Sequence, residues 1–250
     1  MSPLAISGIV FCVVFGGALL GMALRALLPE HHLSQDSKDV VKLGMGLIGT
    51  IAALVLGLLI ASAKSSFDAQ KNGLGQLSAN VGLLDRILAH YGTETKDARE
   101  QLRANVADVL DQTWPEGGSR SGQMPAPGRY ESLYETIQAL TPKNDSQRSL
   151  QSAALKTCID ILQARWQLFA QKGSSIPVPF LVVLVFWLAM IFASFSMFVR
   201  PNATVVATLL VCALSVSGAI FLILELDCPF EGLMRISGDP LRSAYQQLGR

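Results

Sequence analysis

The sequence predicts an all-α polytopic membrane protein with four transmembrane helices and a helical-bundle soluble region between the second and third. Three observations predict it. Four apolar runs, Leu4–Leu24, Leu43–Ala63, Val178–Val199 and Ala203–Leu226, stand in pairs at the two ends of the chain. Each matches the roughly 20 helical residues needed to cross a hydrocarbon core about 30 Å thick. Half of the 250 residues are apolar and the mean hydropathy is +0.40, which a soluble domain does not require. The net charge of +1 and the lack of a basic tract give no sign of a nucleic-acid partner. Membrane lipid is the partner that composition demands.

The first run has no Lys or Arg before it and exceeds the apolar region of a secretory signal, so it reads as a retained span. Gly17 and Gly21 within it are four residues apart. In the loop that follows, Glu30, His31, His32 and Asp36 invite a metal reading. Adjacent histidines rarely complete a site alone, and no Cys or His stands at ligand spacing. No metal or other cofactor is expected.

The second run continues beyond the membrane. After Ala63 come Phe67, Leu74, Leu77, Val81, Leu84, Leu88 and Tyr91, alternating three and four apart from Leu74 onward. That is the seam of a coiled coil or bundle helix. Carried back to Phe67, the seam includes the polar Gln70. No proline intervenes between Val40 and Tyr91, so one helix of about 75 Å is expected, weakened at Gly73, Gly75 and Gly82. Gly92-Thr93 ends it. A second amphipathic helix carries Ala98, Leu102, Val106, Val109 and Leu110 and stops near Trp114-Pro115, because proline disfavours helical geometry in the residue before it. Glu116–Gly128 reads as an exposed loop, followed by a short helix over Arg129–Leu140. Asn144 with Gln147 forms a capping-box pattern opening a long helix striped by Leu150, Ala154, Cys158, Ile161 and Phe169.

The third and fourth spans are joined only by Arg200-Pro201-Asn202 and form an antiparallel hairpin. Beyond them Pro229 blocks further helix. Asp239 stands as N-cap before Pro240, opening a last helix whose apolar face (Leu241, Ala244, Tyr245, Leu248) must dock on a partner surface. The domain reading is therefore residues 1–63 for spans one and two, 64–176 for the bundle, 177–226 for the hairpin and 227–250 for the tail.

Small residues recur along span two: Gly46, Gly49, Ala53, Gly57 and Ala61, with Thr50 beside them. Helices in lipid associate by close packing, and small residues permit it. These six are the pore-lining candidates if span two packs about the axis of an oligomer; packing within one subunit explains them as well. Ser62, Ser215 and Ser217 are further hydroxyls, which commonly bond to their own helix backbone. Only Glu225 is ionisable within a span, at its very end. That argues against proton relays, voltage sensors and coupled transporters, and allows a pore lined by small and hydroxyl groups. Glu225, Asp227 and Phe230 are candidates for a pore mouth or gate, against the plainer reading of a span end with its acids solvated or paired to Arg165 or Arg235. No phosphate loop or nucleophile motif points to an enzyme. The four cysteines, Cys12, Cys158, Cys212 and Cys228, form no disulfide framework, and an isolated Cys158 leans toward a reducing compartment.

Several separated segments resemble one family. They are Ala53-Leu54-Val55-Leu56-Gly57-Leu58, Ala63-Lys64-Ser65-Ser66-Phe67, Leu84-Asp85-Arg86, Tyr91-Gly92-Thr93-Glu94 and Arg99 with Leu102-Arg103. Trp114-Pro115, Arg165-Trp166, Pro201-Asn202 and Glu225-Leu226-Asp227 through Pro229, Phe230 and Gly232 follow. In this order they resemble the bestrophin-like family of bacterial membrane proteins. The family is named for a distant likeness to bestrophins, pentameric anion channels with four spans per subunit and a helical cytosolic portion. The resemblance implies a homo-oligomer, five subunits by likeness alone, in the bacterial inner membrane. It also implies a cytoplasmic bundle and termini, and a pore on the oligomer axis that passes an inorganic ion. Basic residues near the span ends stand six to four, Lys64, Lys71, Arg165, Lys172, Arg235 and Arg242 against Arg25, Lys38, Lys42 and Arg200, a bias that reverses when the long middle region is discounted, so charge alone does not orient the chain. Span two lacks the aromatic rings of a bestrophin pore neck, and the chain lacks an acidic calcium clasp, so anion selectivity and calcium gating do not carry over. The expected function is an ion channel; the alternative is a non-conducting membrane scaffold or sensor whose bundle binds a partner.

Overall fold

Eight α-helices account for most of the described residues, 2–27, 35–115, 130–170, 176–199, 201–230 and 232–249, of the computed structural model. In chain order they are α1 (Pro3–Leu27), α2 (Gln35–Tyr91), α3 (Lys96–Thr113), α4 (Tyr130–Gln138), α5 (Asp145–Ala170), α6 (Val178–Met197), α7 (Ala203–Leu226) and α8 (Asp239–Gln247). Glu30, His31, His32, the side chain of Asp36, the loop 116–128, Lys172, Arg200 and Glu231 lie outside the described residues. Four helices, α1, α2, α6 and α7, are long and apolar enough to cross a membrane. Two compact units divide the chain: residues 1–66 with 175–227, and residues 67–174 with 228–250. Helix α2 contributes to both.

In the first unit α1 packs on α6 and α7. Its buried stripe is Val10, Val14, Gly17, Ala18 and Gly21, at helical spacing. A Cβ on Gly17 would lie 3.0 Å from the Ala189 carbonyl oxygen, and one on Gly21 would run into the Ala193 carbonyl and the Ser196 hydroxyl. These glycines let α1 approach the α6 backbone directly. Asn202 caps α7, its side chain accepting from the Thr204 N–H at 3.4 Å. Most of each span is not covered by its own chain: Leu54 is 70% exposed and Phe186 60%. Such a continuous apolar exterior is unstable in water and natural in lipid, where each helix satisfies its own backbone groups.

The second unit has a conventional packed core. Leu74, Leu77, Val81, Leu84, Leu88 and Tyr91 of α2 are all buried, as the seam predicts, and Gln70 is buried with them. They meet Ala98, Leu102, Val106 and Val109 of α3, Leu133 and Ile137 of α4, and Ala154, Cys158, Ile161 and Leu168 of α5. Leu150 and Phe169 are only half-buried; Leu168 and Arg165 take the inner positions near the end of α5. Helix α2 runs unbroken through Gly73, Gly75 and Gly82, and Gly73 lies against Leu168. It stops at Gly92, whose φ of 135° excludes ordinary side chains. The Thr95 hydroxyl then donates to the Leu88 carbonyl at 2.6 Å, satisfying an orphan acceptor of the last helical turn.

The capping box is half formed. The Gln147 N–H donates to Asn144 Oδ1 at 2.8 Å, but the Gln147 side chain accepts from the Lys143 N–H (2.7 Å) and donates to the Tyr91 carbonyl (3.0 Å). It thereby ties the start of α5 to the end of α2. Helix α8 begins one residue earlier than expected: Gly238 is its N-cap and Asp239 its first residue, because the Gly238 carbonyl accepts the first helical bond, from the Arg242 N–H at 2.9 Å. Its face docks as required, with Leu241 and Leu248 buried in the same core and Ala244 and Tyr245 packed against it.

Leu84 is buried within one chain, so Leu84→Asp is expected to unfold the second unit and not merely to separate subunits. A loss of roughly 3–5 kcal/mol follows from an uncompensated buried charge, and circular dichroism melting with size-exclusion chromatography reads it; an unchanged melt refutes this packing. Burial pushes the Cys158 thiol up to about 11. At pH 8 its thiolate is then about one part in a thousand, and the thiolate is the reactive form. Peptide-mapped alkylation is expected to label Cys158 only on unfolding.

Candidate functional site

Three groups of residues concern function. The first is on the spanning part of α2. That segment packs inward through Ala52, Leu59 and Ala63, with Val55 and Leu56 beside them. Gly46, Thr50, Ala53, Gly57 and Ala61 are exposed on the side of the helix away from this stripe, and Gly49 is half-buried at its margin, 3.9 Å from Ile191 Cδ1 where a Cβ would stand. A Cβ at Gly46 or Gly57 would meet nothing within 4 Å. Gly17 and Gly21 of α1 are therefore explained by packing within the chain, whereas Gly46 and Gly57 of α2 are not. The Thr50 hydroxyl donates to the Gly46 carbonyl at 2.9 Å, and Ser215 and Ser217 bond likewise to Val211 (2.8 Å) and Leu214 (3.0 Å). These hydroxyls serve their own helices.

The second group closes α7. Glu225 is buried and Asp227, at the C-cap, is half-buried, its N–H donating to the Ile223 carbonyl at 3.2 Å. Phe230 belongs to the other unit, where it stands edge-to-face on Trp114 with ring centres 6.0 Å apart. Trp114 is the anchor of the tail. Its indole N–H donates to the Ile236 carbonyl at 2.9 Å, the Ile236 N–H reaches the Pro229 carbonyl at 2.7 Å, and a Cβ on Gly238 would sit 2.9 Å from the indole ring. Gly232 supplies a φ of 82° in this turn.

The third group surrounds the break after α2. Arg99 makes a two-pronged ion pair with the buried Asp85, at 2.7 and 3.0 Å. The bond to Asp85 holds the Arg99 guanidinium above its ordinary pKa. Glu94 pairs with Lys143 at 2.6 Å; that hydrogen bond lowers the carboxyl and raises the amine, though both are exposed and contribute little to stability. Arg103 lies over the Tyr245 ring at 5.2 Å, and the Gly249 N–H reaches Asp85 Oδ2 at 3.4 Å. Arg165 is buried in the bundle core. Trp166 is exposed, edge-to-face with Phe169, while Arg86 and Pro201 are surface residues. Among the described residues no three His, Cys, Asp or Glu side chains gather as a metal site.

Sequence reasoning named Asp85 and Arg99 without pairing them. The signal was available: Asp85 follows Leu84 in the buried arc of the seam, where a carboxylate requires a cation. Lys143, the partner of Glu94, carried no such signal, because exposed lysines are common.

With this geometry in place, comparison with known proteins is informative. A family profile described as the bestrophin-like domain matches residues 12–241. The chain belongs to the bestrophin-like family. Similar structures include crystal structures of single-residue variants of a bacterial bestrophin homologue from Klebsiella pneumoniae. One, at TM-score 0.68 and 14% identity, covers 99% of this chain and 97% of its own; another, at 0.67 and 14%, covers 96% of each. At that identity the likeness establishes the all-helical fold. Curated proteins give no match.

Most of the residues on which the sequence resemblance rested, Asp85, Tyr91, Glu94, Arg99, Trp114, Asn202, Pro229 and Gly232, cap, pair or lock elements of this fold. Asp85→Asn is expected to cost roughly 2–4 kcal/mol, since it leaves Arg99 opposite a neutral group; thermal melting in detergent measures it, and a shift within error would mean that the pair adds nothing. Gly21→Leu is expected to abolish folded protein on fluorescence-detected size exclusion, because α1 can no longer reach α6.

Proposed function

We propose that this protein is a homo-oligomeric ion channel of the bacterial inner membrane, with the small-residue face of α2 turned toward the oligomer axis. The supporting observation is that face itself: Gly46, Thr50, Ala53, Gly57 and Ala61 are left open by their own chain, and Gly46 and Gly57 have no neighbour where a side chain would stand. In lipid, a row of small residues with no packing partner is a surface on which a second backbone, or a permeating ion, fits. Membership of the bestrophin-like family supports the same reading, with five copies and a cytoplasmic bundle implied by likeness to bestrophins. The near absence of ionisable groups within the spans limits selectivity to small groups, hydroxyls and the carboxylates Glu225 and Asp227 at the end of α7.

A second reading, a non-conducting scaffold or sensor, is favoured by one observation. Leu83, Ile159 and Trp166 are each about half exposed on the bundle, and an exposed Trp suits a protein partner.

Purified oligomer in planar bilayers separates the two. Gly57→Leu is expected to keep the folded subunit, since nothing crowds that position, and to reduce conductance at least about tenfold, the factor that 1.4 kcal/mol of added barrier gives. A silent wild-type oligomer across ions and voltages leaves the scaffold reading. Asp227→Asn is expected to shift the reversal potential in a salt gradient; an unchanged value confines Asp227 to capping α7.

A further inference from the structure

A cavity of about 380 Å³ opens where the second unit brings the start of α3 against the end of the chain. Thr93, Lys96, Arg99, Glu100, Arg103 and Gly249 are among the residues that line it. Lys96, Arg99 and Arg103 are three and four residues apart, so all three cations project from one face of α3. The adjoining face carries the buried Ala98, Leu102, Val106 and Val109. Asp85 neutralises Arg99. Arg103 is held over the Tyr245 ring, a contact that positions the guanidinium without cancelling its charge. Lys96 has no ion-pair partner among the described residues, and Glu100, four residues after it, is placed in the less favourable order for a helix pair.

Two features make this more than a solvated charged face. Cations in the first turn of a helix oppose its dipole, so Lys96 and Arg99 stand where charge of that sign is least welcome. Also, the rim is built: the Gly249 N–H is fixed to Asp85, and α8 is fixed by Leu241 and Leu248 in the core, so the chain end walls the cavity next to Arg103.

We propose that this cavity binds a phosphomonoester, its phosphate between Lys96 and Arg103 and its organic body in the remaining volume. A phosphate dianion answers two cations and the unfavourable helix start together, and Arg and Lys are the side chains that bind it best. Inorganic phosphate alone would leave much of 380 Å³ empty, within the range that holds a small organic ligand. The site is independent of whether the oligomer conducts.

Isothermal titration of the full-length oligomer tests it, with glycerol 3-phosphate as probe and glycerol and sodium sulfate at matched ionic strength as comparisons. Saturable binding of glycerol 3-phosphate is expected, with glycerol inert and sulfate at least about tenfold weaker. Lys96→Gln and Arg103→Gln are each expected to weaken it about tenfold or more, as loss of one charge-assisted bond does; Lys156→Gln, exposed on α5, is expected to leave it unchanged. Dihexanoyl phosphatidic acid supplies the same phosphate chemistry from a lipid. Its binding tighter than the probe names a lipid headgroup as the natural source, and its exclusion names a soluble metabolite. No saturable heat with either phosphate compound, equal binding of sulfate, or equal affinity in a Lys96→Gln oligomer that elutes as the wild type does would overturn the site.

Discussion

One helix of 57 residues, α2, carries two different surfaces along its length. Its first part is apolar on nearly every side, because lipid imposes no polar face. Its second part is amphipathic, because water does. Without a proline or a cap between them, hydrogen bonding passes from one regime to the other in a single element. The other helices of each unit are then selected by what α2 presents: Ala52, Leu59 and Ala63 to one core, Leu74 through Tyr91 to the other.

The ionic pair at the far end of α2 shows how the water-facing part is kept specific. An apolar seam tolerates sliding, since one leucine replaces another at little cost. Asp85 does not tolerate it. Buried beside Leu84, it demands the Arg99 fork, and that demand fixes how far α3 advances after the Gly92 break. Gln147 bonded to the Tyr91 carbonyl sets α5 in the same way, and Trp114 bonded to the Ile236 carbonyl sets the chain end. Each of these polar contacts joins segments distant in sequence and permits one register.

How much was legible in the sequence follows from which interactions are periodic. The spans, the seam and the amphipathic faces of α3 and α8 were readable, since burial repeats at helical spacing and Leu84, Leu102 and Leu241 obey it. The stripe of α5 was read only in part. Arg165 is buried where a charge is not expected, so the inner row runs through Leu168 and leaves Phe169 at the edge. The Asp239 cap missed by one residue because the Gly238 carbonyl already accepts a helical bond from the Arg242 N–H. Pairings across long separations, Glu94 with Lys143 or Arg103 with Tyr245, leave no periodic trace at all.

The limit is sharpest in the glycines. Gly17 and Gly21 in α1 and Gly49, Ala53 and Gly57 in α2 share one spacing, and nothing in that spacing tells them apart. What separates them is the neighbouring backbone. Gly17 and Gly21 press on the carbonyls of Ala189 and Ala193, so their smallness is consumed inside the subunit. Gly57 faces open space, so packing within the chain does not account for its smallness. Glycine carries a cost in helix propensity, and one that serves no contact in its own fold is retained at that cost. At Gly17 and Gly21 close packing balances it. In α2, Gly46 and Gly57 have no such contact within the chain.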